Sequence, residues 1–157
     1  MQNVSTCLWF DGQALEAATF YVDVLPRSRI LETGYYPQDS RHPAGTVITV
    51  RFELDGTEFL ALNGGPQFKH SPAMSLVAYT DDQEETDRLW DGLLQGGQPS
   101  QCGWLTDRFG VSWQVVPRRV IAMLTSGDKA ASQRAFAAVM SMVKIDIAAV
   151  AEAFGGS

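Results

Sequence analysis

The chain has 157 residues, of which 45% are hydrophobic and 19% are charged, and these proportions are typical of a single soluble globular domain. Its formal net charge of −6 disfavours a nucleic-acid partner, because phosphates repel an acidic surface. No apolar run approaches the roughly 20 residues that a membrane helix needs. The segment Met1–Ser5 lacks the basic and apolar parts of a signal peptide, so we expect a cytoplasmic protein with no membrane partner. Cys7 and Cys102 form no CxxC pair, and neither a disulfide framework nor a cysteine zinc site is indicated.

The first part of the chain predicts one strand, one helix and three further strands. The strands are β-branched or aromatic runs bounded by turn residues, and Asp55-Gly56 is a strong hairpin signal between the last two. The helix has apolar residues at i, i+3, i+4 and i+7 and ends before Pro26. Pro37–Gly45, with two prolines, predicts a loop. In chain order the predicted elements are the strand Val4–Phe10, the helix Ala14–Leu25 and the strands Ser28–Tyr36, Thr46–Leu54 and Thr57–Asn63.

The same order of elements then begins again, which indicates an internal duplication. The predicted elements are the strand Ala73–Thr80, the helix Glu84–Leu94, a short edge strand Gln98–Gln101, and a hairpin that turns at Asp107–Gly110. We therefore predict an α+β fold with two βαβββ modules forming cupped mixed sheets, over about residues 3–65 and 73–117 of a single domain.

The remaining residues, 118–157, predict a helical extension. Val120–Leu124 is one short helical stretch, Ser126-Gly127-Asp128 is a cap region for a second helix, and Asp146 is expected to cap a third. The apolar stripe of the middle helix contains Phe136, Val139, Met140 and Val143. Stripes of this kind pack on a sheet or on a partner chain.

Several segments resemble the PhnB-like family, also called 3-demethylubiquinone-9 3-methyltransferase-like. The similar segments are Phe10–Tyr21 (FDGQALEAATFY), Phe52–Phe59, Asn63–Pro66, Gln83–Trp90, Gln101–Gln114 and Lys144–Ala149, which together run over nearly the whole chain. The family belongs to the vicinal-oxygen-chelate (VOC) superfamily of glyoxalase and bleomycin-resistance proteins. The resemblance implies paired βαβββ modules, a cupped sheet in each, and a homodimer.

Enzymes of this superfamily hold a divalent metal through His and Glu side chains, and the metal stabilises charge on two vicinal substrate oxygens. The resemblance places the four ligand positions near Ser5–Cys7, Leu60, Ser75 and Gln114. Leucine cannot coordinate a metal, and serine and glutamine are poor ligands for zinc or nickel. We therefore predict no metal site and no cofactor, with a divalent metal as the less favoured alternative. Glu53 and Glu58 are expected to face solvent.

Three tryptophans, Trp9, Trp104 and Trp113, are candidates for the aromatic wall of a ligand site, and Trp104 and Trp113 flank one turn at positions that could face the same surface. The alternative is that each fills the core with its indole N–H bonded locally. Together with Leu60, Ser75 and Gln114 they are the predicted ligand-binding residues.

Cys102 is a weak candidate for a catalytic nucleophile, because it opens the second hairpin, where Arg108 or a loop histidine could favour its thiolate. The alternative is a small apolar core residue. His42 and His70 lie in loops and have no metal-binding spacing.

Three functions remain open on this basis. The first is a binding module that holds a small apolar or aromatic molecule without a metal. The second is a VOC-type enzyme, such as a lyase, isomerase or dioxygenase, that depends on a metal or on Cys102. The third is a purely structural or interaction protein whose sheet cup is filled. A methyltransferase is disfavoured, because the chain lacks both the glycine-rich loop after the first strand and the doubly wound order of elements that such enzymes use.

Overall fold

The computed structural model of the chain describes residues 3–38 and 40–156. Met1 and Gln2, in the segment assessed for a signal peptide, and Asp39, in the predicted loop, lie outside this range. The structure divides into two compact units, residues 1–70 and 71–157. Within the described residues, no helix combines the length and the apolar character needed to cross a bilayer.

Unit 1 is one βαβββ module. Its elements are β1 (Thr6–Phe10), α1 (Ala14–Val24), β2 (Arg29–Tyr35), β3 (Val47–Leu54) and β4 (Thr57–Asn63). The sheet order is β1-β4-β3-β2, with β1 parallel to β4 and the other neighbours antiparallel. One helix face buries Ala14, Ala17, Ala18 and Tyr21 against the sheet.

The start of α1 is tied to the end of β4. The backbone N–H of Ala14 donates to the Asn63 side-chain oxygen at 2.9 Å, and the Asn63 amide donates to Val47 O. Asn63 therefore satisfies one of the N–H groups that every helix leaves unpaired at its first turn.

Unit 2 repeats this module and adds the C-terminal extension. Its elements are β5 (Ser75–Thr80), α2 (Gln83–Leu94), β6 (Gln98–Pro99), β7 (Trp104–Thr106), β8 (Ser112–Pro117), α3 (Arg118–Leu124), α4 (Lys129–Met140) and α5 (Ile147–Gly155). The sheet order, β5-β8-β7-β6, repeats that of unit 1. The predicted α+β class with two βαβββ modules of cupped mixed sheets is confirmed.

The extension forms a small core of its own. Its buried members are Val120, Ala135, Val139, Ile145, Ile147 and Val150. Asp128 and Asp146 cap α4 and α5 by accepting from Ala131 N and Ala149 N, as their positions in the sequence predict.

The extension is fixed to the module by hydrogen bonds of two kinds. Backbone N–H groups of Cys102 and Gly103 donate to Met142 O and Val143 O at 2.8 and 2.7 Å. The side chain of Gln83, at the start of α2, also bonds backbone groups of Ile145 and Ile147.

Candidate functional site

The side of each sheet opposite its helix, called here the open face, carries most of the predicted ligand-binding residues. In unit 1, strand alternation turns Leu8 and Phe10 toward α1 and leaves Cys7 and Trp9 on the open face. Cys7 pairs with Leu60 across β1 and β4. Leu60 is therefore on the open face, beside Cys7, and its side chain is half-buried.

Trp9 is held in place by the segment that follows β4. Its indole N–H donates to Gly65 O at 2.9 Å, and the edge of one ring meets Phe68 at a centroid distance of 5.0 Å. A Cβ at Gly64 would come within 2.3 Å of the indole, so this close approach requires glycine. Trp9 is thus a fixed, half-buried aromatic surface on the open face.

Both histidines have structural contacts in unit 1. His70 Nε2 lies 2.6 Å from Trp9 O, so this nitrogen carries the proton and donates, and the ring lies 5.4 Å from Phe10. His42 stacks on Tyr36 at 4.0 Å.

A row of ion pairs crosses the rest of the same open face. Arg51 Nε donates to Glu58 at 2.9 Å and its Nη1 donates to Glu32 at 2.5 Å, while Arg29 lies 3.7 Å from Glu53. The hydrogen bond that Arg51 donates to Glu58 raises the pKa of Arg51 further, which keeps the guanidinium charged. The side chains of Glu58 and Glu53, which were expected to face solvent, lie on this face in ion pairs and are 23% and 27% exposed.

Three predicted residues come together on the open face of unit 2. The Gln114 side-chain amide donates to Ser75 Oγ at 3.0 Å, and Trp104 is the cross-strand neighbour of Gln114. Val77 and Tyr79, on β5, lie on this face with 39% and 51% of their surface exposed. Sequence reasoning missed them, although the alternation of exposed and buried residues along β5 follows from its period of two.

Trp113 does not belong to this face. It is 2% exposed, and its indole N–H donates to Asp107 Oδ2 at 2.9 Å. The expectation that Trp104 and Trp113 face one surface is wrong, because Trp113 pairs with Leu105, the neighbour of Trp104, and adjacent residues of a strand point to opposite sides.

Cys102 lies at the junction with the C-terminal extension. Its backbone is in the left-handed region, with φ +60°, and its Sγ lies 3.5 Å from Met140 Sδ. The guanidinium of Arg108, one of the groups that could favour its thiolate, lies 5.8 Å from the centroid of the Phe109 ring. Cys102 therefore packs among thioether and apolar groups of the extension.

A family described as 3-demethylubiquinone-9 3-methyltransferase matches residues 2–116. The chain belongs to this PhnB-like family. A putative 3-demethylubiquinone-9 3-methyltransferase, PhnB protein, from Bacillus cereus is 34% identical, with a TM-score of 0.68 over 74% of this chain and 99% of that one.

More distant structures share the fold alone. Protein PA1353 from Pseudomonas aeruginosa is 23% identical, with a TM-score of 0.62 over 74% of this chain and 98% of that one. The fosfomycin resistance protein FosX from Mesorhizobium loti is 13% identical, with a TM-score of 0.52 over 74% and 92%. No curated protein matches the chain. The similar segment Lys144–Ala149 lies beyond the family match.

The side chains at the ligand positions that the resemblance implies are not the His and Glu set with which VOC enzymes bind a metal. In unit 1 the ligand positions that the resemblance implies are the segment Ser5–Cys7, whose Cys7 lies beside Leu60, and Leu60 itself, which has no donor atom. In unit 2 the ligand positions hold Ser75 and Gln114, and the Gln114 amide donates a hydrogen bond to the Ser75 hydroxyl. Neither unit places His and Glu side chains at these positions, as zinc or nickel would require.

Cys7 is expected to alkylate slowly at neutral pH. Partial burial raises the pKa of its thiol, so less thiolate, the reactive form, is present than in an unstructured peptide. In a Cys102→Ser variant, the rate of modification by iodoacetamide should rise with pH to a midpoint above that of a model cysteine peptide. Mass spectrometry over about pH 6–10 measures this profile. A midpoint below that of the peptide would contradict the assignment.

Proposed function

We propose that this PhnB-like protein binds a small molecule with an apolar or aromatic part on the open faces of its sheets, without a metal. The proposal rests on the types of side chain at the ligand positions that the family resemblance implies. Leu60 offers only hydrocarbon, and Gln114 and Ser75 offer neutral hydrogen-bonding groups that are already oriented by each other. Such a set suits an uncharged ligand surface better than a metal ion.

The surrounding side chains support a ligand of mixed character. The open face of unit 2 offers Trp104, Val77 and Tyr79, which are apolar or aromatic and partly exposed. That of unit 1 offers Trp9 and, on the same face, the charged pair of Arg51 and Glu58. Small-molecule sites are generally lined by apolar side chains, with a few polar groups that fix the orientation of the ligand.

Catalysis by Cys102 and methyl transfer are not part of this proposal. The Cys102 thiol contacts Met140 of the extension. The element order gives two sheets of order β1-β4-β3-β2 and β5-β8-β7-β6, whereas cofactor-dependent methyl transfer is typical of a doubly wound parallel sheet. The homodimer and the cytoplasmic location remain predictions from the resemblance and from the composition.

Binding of the aromatic dye 1-anilinonaphthalene-8-sulfonate tests the proposal. Trp104→Ala removes an aromatic contact on the open face, and we expect it to weaken dye binding about tenfold in a fluorescence titration, with Trp104→Phe close to wild type. Phe136→Ala is the matched control, because Phe136 is also an exposed aromatic residue but lies on α4. Equal effects of Trp104→Ala and Phe136→Ala would contradict binding at the sheet.

Metal analysis of the purified protein separates the proposal from its enzymatic alternative. We expect less than stoichiometric zinc, nickel, manganese and iron after purification without chelators. One bound metal per chain that is lost in a Gln114→Ala variant would refute the metal-free site.

A further inference from the structure

Sulfur-bearing side chains are concentrated where the module of unit 2 meets the C-terminal extension. The chain has two cysteines and five methionines. Four of these seven residues lie in the extension or pack against its core, and they are Cys102, Met123, Met140 and Met142. Among them, Cys102 Sγ and Met140 Sδ are 3.5 Å apart. A thiol and a thioether are therefore close enough to contact one further atom together.

The backbone that carries the thiol is fixed on both sides. The Cys102 N–H donates to Met142 O at 2.8 Å, and the Gly103 N–H donates to Val143 O at 2.7 Å. Gly103 O in turn accepts from Val115 N of β8 at 2.8 Å. A ligand atom that the fold already holds in position loses little freedom when it binds.

The thioether is accessible from solvent. Met140 is the last residue of α4, and 52% of its surface is exposed, whereas Cys102 is half-buried. A methionine side chain has three rotatable bonds and adapts readily to a neighbouring group. The pair thus combines a fixed thiol with a thioether that an ion can reach.

The distance between the two sulfur atoms suits the chelation of one metal ion. At a metal–sulfur distance of about 2.3 Å, two ligands at the tetrahedral angle lie about 3.8 Å apart. The observed 3.5 Å is shorter by a few tenths of an ångström, and a small rotation of the Met140 side chain supplies this difference.

We propose that Cys102 and Met140 bind a soft monovalent metal ion of the Cu(I) class. Thiolate and thioether groups are the ligands that select Cu(I) over harder ions. In residues 3–38 and 40–156, no group of three or more His, Cys, Asp and Glu side chains could hold a metal ion. Selection at this pair therefore rests on sulfur alone.

The charge balance favours a monovalent ion. On binding, the Cys102 thiol loses its proton to solvent and its sulfur bonds to the ion, while the neutral Met140 sulfur donates a lone pair. One thiolate and one monovalent ion sum to zero charge. A neutral complex suits the half-buried position of Cys102, where an uncompensated charge would be costly. A divalent ion would leave one positive charge unbalanced.

This site is independent of the proposed ligand binding on the open faces. Leu60, Ser75 and Gln114 take no part in it. The family match ends at residue 116, so it includes Cys102 and excludes Met140. The pair therefore depends on the extension, and Cu(I) binding can fail while ligand binding on the sheets holds, or the reverse.

Titration of Cu(I) against a chromophoric Cu(I) chelator, under anaerobic reducing conditions, tests the proposal on the full chain. A Cys7→Ser background leaves Cys102 as the one thiol, and we expect it to bind one Cu(I) per chain. Loss of even an outer partner of a metal ligand weakens binding, so Met140→Leu, which removes a ligand, should lower the affinity at least about tenfold. Cys102→Ser should remove the binding.

Met74→Leu is the matched control. Met74 is 62% exposed in the same unit, and its replacement should leave the affinity for Cu(I) unchanged. Leucine is apolar and close in volume to methionine, so both methionine variants should fold, and circular dichroism checks this. The proposal fails if the Cys7→Ser protein does not compete with the chelator. It also fails if Met140→Leu and Met74→Leu bind Cu(I) equally, because a bare thiol would then hold the ion.

Alkylation of the wild type provides a second readout that needs no substitution. One equivalent of Cu(I) should slow the reaction of Cys102 with iodoacetamide at least about tenfold and leave the rate at Cys7 nearly unchanged, because only a free thiolate reacts. Peptide mass spectrometry measures both rates. Equal protection of the two thiols, or stronger protection of Cys7, would contradict the site.

Discussion

Asp107→Ala is expected to destabilise the protein by about 3–5 kcal/mol, because it removes the acceptor of several buried donors. Asp107 is 3% exposed. Its Oδ1 accepts from the backbone N–H groups of Phe109 and Val111 at 2.8 and 3.0 Å, and its Oδ2 accepts from the Trp113 indole at 2.9 Å. Alanine leaves these three donors, of which those of Val111 and Trp113 are buried and that of Phe109 is part-buried, without this partner.

Urea unfolding followed by tryptophan fluorescence measures the loss. Asp107→Asn keeps one acceptor oxygen, so we expect about half the effect of alanine. Asp91→Asn makes the same change at an exposed position of α2 and should stay within about 0.5 kcal/mol of the wild type. A stability of Asp107→Ala equal to that control would show that the Asp107 contacts do not contribute.

Gln83→Ala is expected to lower the free energy of unfolding by about 1–3 kcal/mol and to increase local opening at the start of α5. The Gln83 amide donates to Asp87 Oδ1 at 2.9 Å and to Ile145 O at 3.1 Å, and its oxygen accepts from Ile147 N at 2.8 Å. One side chain thus joins the first turn of α2 to the extension.

Hydrogen exchange of the Ile147 amide is the direct readout. We expect exchange at least about tenfold faster in Gln83→Ala, with the amides of β8 changed much less. Gln95→Ala, the same change at an exposed position, is the control. Uniform acceleration over the whole of unit 2 would indicate global destabilisation and contradict a local anchor.

Acid should weaken the contact between the start of α2 and the C-terminal extension. Hydrogen bonds from Lys144 and Gln83 lower the pKa of Asp87, so the folded state favours the carboxylate. The contribution of the Asp87 carboxylate to the stability of the folded state is complete above the ordinary carboxylate pKa. It is lost as the pH falls through the lowered pKa of the folded state. The difference in stability between the wild type and Asp87→Asn should therefore shrink below about pH 4. A difference that does not change between neutral and acidic pH would argue against this ion pair.

The structure also explains why the segment around residues 107–113 is so distinctive in sequence. Asp107 closes the turn between β7 and β8 and holds the Trp113 indole at the same time. Gly110 completes the turn with φ +87°, a conformation that favours glycine. Aspartate, glycine and tryptophan at this spacing therefore serve the fold, not the ligand site.

Local pattern alone determined the elements and their repetition. The helix period of α1 and α2, the turn at Asp55-Gly56 and the breaks at Pro26 and Gly96-Gly97 are properties of neighbouring residues, and the predicted elements agree with the observed ones to within a few residues. The duplicated order of elements followed from the same signals, so the fold class could be predicted with no knowledge of tertiary contacts.

Only the tertiary structure decided which side chains share a surface. Trp104 and Trp113 look equivalent in sequence, but the register of β7 against β8 sends them to opposite sides of the sheet. Arg51 meets Glu32 and Glu58 only through the pairing of β3 with both of its neighbours. A strand exposes one of its two faces according to what packs on it, and that information lies far away in the chain. The sequence alone therefore determined the architecture, and strand register determined the candidate site.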